Sequence, residues 1–157
     1  MKKWVIVVFF LIVLIIIGSG TYLYKSAMKP INTAEEIAVE IAEKETKLVS
    51  VEDFSVYNGK DSYYVIKGKN NFNVDIYVLI NKETQDVMVK QAQHGITSDE
   101  ALQLVFGTTI PDQAKVQLGM ENRVVYWEVS YLTDLNTLSY YYIDFETGEI
   151  LKIIENL

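Results

Sequence analysis

Glu83-Thr84-Gln85-Asp86-Val87 returns 63 residues further on as Glu146-Thr147-Gly148-Glu149-Ile150, and that agreement reads as a duplicated fold. At the same offset Tyr63-Tyr64 meets Tyr126-Trp127 and Tyr77 meets Tyr140. Working outward from the first copy, apolar alternation predicts strands over 54–58, 62–68, 72–81 and 86–91. The breaks between them are Asn58-Gly59, Lys69-Asn70-Asn71 and residues 82–85, all of hairpin length. Upstream, Thr33 with Glu36 three residues later reads as a capping box, in which each residue satisfies a backbone N–H that the first helical turn leaves unpaired. A helix to about Lys47 follows, with Ala34, Ile37, Ala38, Ile41 and Ala42 on one apolar face. The second copy repeats the plan. Thr97-Ser98-Asp99-Glu100 is its capping box, Ala101, Leu102 and Val105 turn inward, and Gly107 stands where a left-handed C-terminal cap is expected. Its strands are predicted over 113–118, 123–132, 138–145 and 149–155.

The expected architecture is therefore α+β: two tandem units, each one helix packed on a four-stranded antiparallel sheet. The joint falls near Gln93, His94 and Gly95, which gives units over 30–93 and 94–157. Each unit is small enough that an isolated copy is marginal, so the two are expected to pack on one another.

Residues 1–29 read as a membrane anchor and juxtamembrane segment. Every residue from Trp4 to Ile17 is hydrophobic, and no charge then occurs before Lys25, giving 21 uncharged residues. That length lets a helix cross a hydrocarbon core of roughly 30 Å. Trp4 at one edge and Tyr22 and Tyr24 at the other suit the headgroup level. The expected topology is single-pass in the cell membrane, with a cytoplasmic N-terminus and extracytoplasmic C-terminal units. A cleaved secretory signal is the alternative, since Gly18, Ser19 and Gly20 are small enough for a signal peptidase, although no A-x-A-like site follows.

Lys2, Lys3, Lys25 and Lys29 leave 10 of the 14 basic residues for the rest of the chain, against all 21 acids, a net charge of −11. Nucleic acid is excluded as a partner, because its binding needs clustered Lys and Arg. The absence of cysteine removes disulfides and thiol nucleophiles. His94, the one histidine, reads as a solvated joint residue, since a zinc site with one His and no Cys would need carboxylates for every other ligand. No G-x-S-x-G elbow, S-x-x-K or phosphate loop occurs, and the acidic pairs Glu35-Glu36, Glu52-Asp53 and Asp99-Glu100 fit helix starts and turns. No enzyme activity, cofactor, metal or small-molecule ligand is expected.

Strand parity carries the remaining signal. Val74, Ile76, Val78 and Ile80, with Tyr141 and Ile143 in the second copy, share the face expected to meet the helices. The opposite face carries Tyr63, Tyr77 and Leu79 in the first unit and Tyr126, Tyr140 and Tyr142 in the second. Large apolar side chains on a nominally wet face call for a covering surface. Either these faces cover each other or the neighbouring unit, or at least the second unit presents its tyrosines to another protein. Trp127, with Val129 and Tyr131, falls on the core side, which argues against its stacking on wall glycan.

Several stretches carry a resemblance: Tyr24-Lys25-Ser26-Ala27-Met28, Lys44-Glu45-Thr46, Gly59-Lys60 with Tyr63-Tyr64-Val65 and Lys67-Gly68, and Gly95-Ile96-Thr97. Most specific are Trp127-Glu128-Val129-Ser130-Tyr131-Leu132, Leu138-Ser139-Tyr140 and Asp144-Phe145-Glu146-Thr147-Gly148-Glu149-Ile150-Leu151-Lys152. In these the chain resembles the TseB-like cell wall elongation regulators of Gram-positive bacteria, anchored proteins with tandem cystatin-like domains related to PepSY modules. The resemblance implies a non-catalytic regulator or scaffold that associates with a class B penicillin-binding protein. A PepSY-like modulator of an extracytoplasmic peptidase is the competing expectation.

Overall fold

The computed structural model describes Val13 and residues 33–133 and 135–155. Apart from Val13 the predicted membrane span lies outside the described residues, among which no helix is long and apolar enough to cross a membrane. The chain divides into two compact units, residues 1–37 and 38–157, and the second holds the sheets of both repeats.

Residues 33–46 form α1. Thr33 is already helical, so it lies inside α1 and not at its cap. The buried face also differs from expectation: Ala38 and Ala42 are fully buried, with Val39 and Ile41 packed beside them, whereas Ile37 is 46% exposed. Two alanines four residues apart give a flat surface that lets a sheet approach closely, and the flanking branched side chains fill the margins.

Four strands follow, β1 (Leu48–Asn58), β2 (Ser62–Asn70), β3 (Asp75–Asn81) and β4 (Val87–Gln91), each antiparallel to the next. β1 begins six residues earlier than alternation predicts. Its first half is broken by register irregularities between Leu48 and Ser50 and between Val51 and Asp53, and such bulges erase the period-two pattern. Gly68 sits opposite this region, where an added Cβ would lie 2.1 Å from the Ser50 carbonyl oxygen. β3 starts at Asp75 and not at Phe72, because the Asn70 side chain accepts from the Phe72 and Val74 N–H groups and holds the intervening residues in a turn. α1 covers Ile76, Val78 and Ile80, with Val74 partly buried beside them, as strand parity predicts, and Ile66 of β2 joins the same cluster.

A 3₁₀ turn (Ala92–His94) leads into α2 (Ser98–Phe106), then β5 (Lys115–Glu121), β6 (Val124–Leu132), β7 (Leu138–Asp144) and β8 (Ile150–Ile154), a second antiparallel meander in sequence order. β5 and β6 meet at Asn122-Arg123, both at positive φ, a two-residue hairpin whose twist matches the strands it joins. The turn shared by the two copies, after β3 and again after β7, repeats the same two backbone hydrogen bonds. Asn81 Oδ1 accepts from the N–H groups of Glu83 and Thr84, and Asp144 Oδ1 accepts from those of Glu146 and Thr147. Gln85 in one copy and Gly148 in the other take the required positive φ, 61° and 73°.

The capping box of α2 is present. Thr97 Oγ1 accepts from the Glu100 N–H at 3.2 Å, and Glu100 Oε2 accepts from the Thr97 N–H at 2.7 Å. The Thr97 N–H, and then the Thr97 hydroxyl, which donates to the same oxygen at 2.9 Å, hold the Glu100 carboxyl below its usual range. Thr97→Ala is expected to lower the unfolding free energy by about 1 kcal/mol at neutral pH in urea titrations. Because the folded-state pKa is depressed, the share contributed by Glu100 is present above the unfolded carboxyl pKa and fades as pH falls through the folded one. The gap between wild type and variant should narrow accordingly in acid.

Candidate functional site

The two repeats pack head to tail. The outer face of the first sheet contributes Tyr57, Tyr63, Val65 and Leu79 to one core cluster with Ala101 of α2 and with Leu118, Trp127, Val129, Ile143 and Phe145 of the second repeat. The candidate tyrosine face of the first repeat is thereby taken into the interior: Tyr63 is 5% exposed and Leu79 fully buried. Tyr77 stands edge-on to Trp127 and Phe145, with ring centroids at 5.7 and 5.8 Å. The Trp127 indole N–H donates to the Ile96 carbonyl at 2.9 Å, which fixes the joint. His94 is exposed at that joint.

The equivalent face of the second sheet is left open. Tyr140 and Tyr142 are half-buried there, and Tyr126 is buried at its floor. A groove of about 730 Å³ runs over them, lined also by Glu128, Lys60 and Lys152. Tyr126 meets Tyr142 edge-on at 5.3 Å, and Lys152 Nζ lies 5.5 Å above the Tyr142 ring.

One wall was not anticipated from sequence. Tyr57 leaves the first sheet, crosses the β5 edge and enters the groove, where its hydroxyl donates to Glu128 Oε2 at 2.8 Å and lies 3.0 Å from the Tyr126 hydroxyl. The crossing point is Gly119, whose added Cβ would lie 2.6 Å from the Tyr57 ring. Gly59 leaves similar room on the other side. The counterpart of Tyr57 in the second repeat is Met120, so the repeat pattern gives no hint of its role. Gly119 within an otherwise alternating strand is the signal that could have marked it.

Burial, the hydrogen bonds to Tyr126 and Glu128, and the Glu128 charge all push the Tyr57 phenol up. Burial and then the Glu128 charge push Tyr142 up to about 12, and burial raises Tyr126. These phenols stay neutral at physiological pH. They offer rings and neutral hydroxyl groups for contact. Among the described residues no three His, Asp or Glu side chains converge to hold a metal.

Fold and site together define an α+β protein of two four-stranded antiparallel sheets with one open, tyrosine-rich sheet face. The chain belongs to the TseB-like cell wall elongation regulator family. Residues 38–81 match the cell wall elongation regulator TseB-like domain, and residues 95–154 match PepSY, the peptidase propeptide and YPEB domain. A probable cell wall elongation regulator TseB of Bacillus subtilis (strain 168) is 35% identical over 150 residues, 94% of this chain and 93% of that protein. The solved YpmB protein from Bacillus subtilis superposes with a TM-score of 0.68 at 35% identity, covering 76% of this chain and 95% of that chain. These relatives support a regulatory role, and neither family match is to a catalytic domain.

Proposed function

We propose that this protein is a non-catalytic regulator of cell wall elongation, anchored by its N-terminal segment in the cell membrane, whose extracytoplasmic repeats bind a class B penicillin-binding protein through the open face of the second sheet. One observation carries the reading: head-to-tail packing covers the tyrosine face of the first repeat and leaves Tyr140 and Tyr142 at the surface of the second. Tyrosine suits a protein contact, since a rigid ring supplies area while its hydroxyl tolerates water.

The test is cross-linking in the native membrane followed by purification in mild detergent and identification of bound proteins. Tyr140→Ser with Tyr142→Ser is expected to reduce recovery of a class B penicillin-binding protein by about ten-fold or more, the scale of a lost hot spot. Tyr126 is left intact in this variant because it is buried. Undiminished recovery in a normally folded double variant would remove this face from the reading. Extraction of the wild type by alkaline carbonate, without detergent, would remove the anchor.

The PepSY match over residues 95–154 favours a second reading, a modulator of an extracytoplasmic peptidase. It predicts that the purified chain inhibits such a peptidase in a dose-dependent assay, which a scaffold would not do.

A further inference from the structure

Charge within the groove is unevenly matched. Lys60 pairs with Glu121 at 3.3 Å, and Lys152 rests over the Tyr142 ring. Glu128 projects from the middle of β6 onto the groove floor, half-buried, and belongs to none of the ion pairs among the described residues. The hydrogen bond it accepts from Tyr57 comes from a neutral phenol. A half-buried carboxylate loses hydration, and a hydroxyl donor compensates for that less fully than a cation does. Around it stand Tyr57, Tyr126, Tyr140 and Tyr142, whose ring faces are attractive to positive charge. The chain already uses this property at the rim, where its own Lys152 sits in a cation–π position.

We propose that the groove is a cation site, which takes the ammonium or guanidinium group of a Lys or Arg side chain on a segment of the protein partner, with Glu128 as counter-ion and the tyrosine rings as walls. The inference rests on the reading of this face as the partner surface and adds the chemistry that the partner must present. Overall charge agrees: the chain carries a net −7, which steers a basic segment toward it and opposes self-association. Lys152 is the competitor already in place. An incoming cation shares the Tyr142 ring with it or displaces it into solvent, so Lys152 limits affinity.

The full-length chain in a zwitterionic detergent would be titrated with the N-acetylated, C-amidated peptides Gly-Ser-Lys-Ser-Gly, Gly-Ser-Arg-Ser-Gly and Gly-Ser-Gln-Ser-Gly, capped so that the Lys or Arg side chain is the one cation, following the ring resonances of Tyr140 and Tyr142 by NMR. The Lys and Arg peptides are expected to bind about ten-fold or more tightly than the Gln peptide, as for a contact with a half-buried charge. Glu128→Gln, which keeps an acceptor for Tyr57, is expected to abolish that preference with the fold intact by circular dichroism. Lys152→Met is expected to tighten binding a few-fold, whereas Lys44→Met, the same charge change on exposed α1, leaves it unchanged. Equal binding of the three peptides, an unaltered preference in Glu128→Gln, or equal effects of the two lysine variants would each overturn the cation site. If Tyr140→Ser with Tyr142→Ser still loses the penicillin-binding protein while the peptides bind equally, the partner face stands and the cation chemistry falls.

Discussion

Trp127→Ala is expected to lower the unfolding free energy by about 3–5 kcal/mol, the range for removing a large buried aromatic side chain. Trp127 is 5% exposed and makes three kinds of contact at once. Its ring meets Tyr77 of the first repeat, it packs beside Phe145 at 6.3 Å within the second, and its N–H satisfies the Ile96 carbonyl in the joint. Truncation therefore opens a cavity between the repeats and leaves a carbonyl without its donor. Domains of this size have about 5–15 kcal/mol in total, so the variant should be near the limit of stability at about 37 °C. Urea denaturation followed by circular dichroism checks the magnitude. Trp127→Phe keeps an aromatic ring in the joint while losing the hydrogen bond and part of the indole volume, and should cost less, about 1–3 kcal/mol. A Trp127→Ala variant within about 1 kcal/mol of wild type would show that the repeats do not depend on one another through this side chain.

The second large effect is expected at the place where Tyr57 crosses β5. In Gly119→Ala the new Cβ falls 2.6–2.8 Å from the carbons of a ring that is itself 2% exposed and cannot move aside cheaply. Either β5 shifts away from β1 or Tyr57 leaves the groove, breaking its contacts with Tyr126 and Glu128. The expected cost is about 1–3 kcal/mol, typical of overpacking. Tyr57→Ala alone should cost about 3–5 kcal/mol through lost burial. The decisive measurement is the double variant: with the ring gone, Gly119→Ala has nothing to strike. The two losses should then fall short of additivity by about 1 kcal/mol or more. Strict additivity would mean that the ring does not lie on Gly119 in solution. Either single variant should also weaken partner recovery, because Tyr57 forms one wall of the groove.

How much of the fold and the groove was legible in the sequence depends on how local the responsible physics is. The turns after β3 and β7 were readable because their chemistry lies within five residues: an Asn or Asp accepts two backbone N–H groups, and a residue at positive φ closes the loop. The α2 capping box was readable for the same reason. Ile76, Val78 and Ile80 were assigned to the helix-covered face because a strand alternates its side chains, a constraint that holds wherever the strand is placed. The beginning of β1 was not readable, since two irregularities suspend that alternation. Nor was the exposure of Ile37, because a helix pattern gives an arc of apolar positions and leaves open which part of the arc meets the sheet.

The sequence by itself determined that there are two copies of one α+β unit, where each turns, and which residues share each sheet face, because all of these follow from short-range backbone geometry and from the two-residue period of a strand. Only the tertiary structure decided which tyrosine face would be covered. By pattern alone the set Tyr63, Tyr77 and Leu79 and the set Tyr126, Tyr140 and Tyr142 are equivalent. Two like units packed head to tail cannot treat them equally: the first lends its outer face to the second, and the second keeps its own face open. The groove arises from that asymmetry, completed by Tyr57 reaching over a glycine from a strand 69 residues away in sequence from Tyr126.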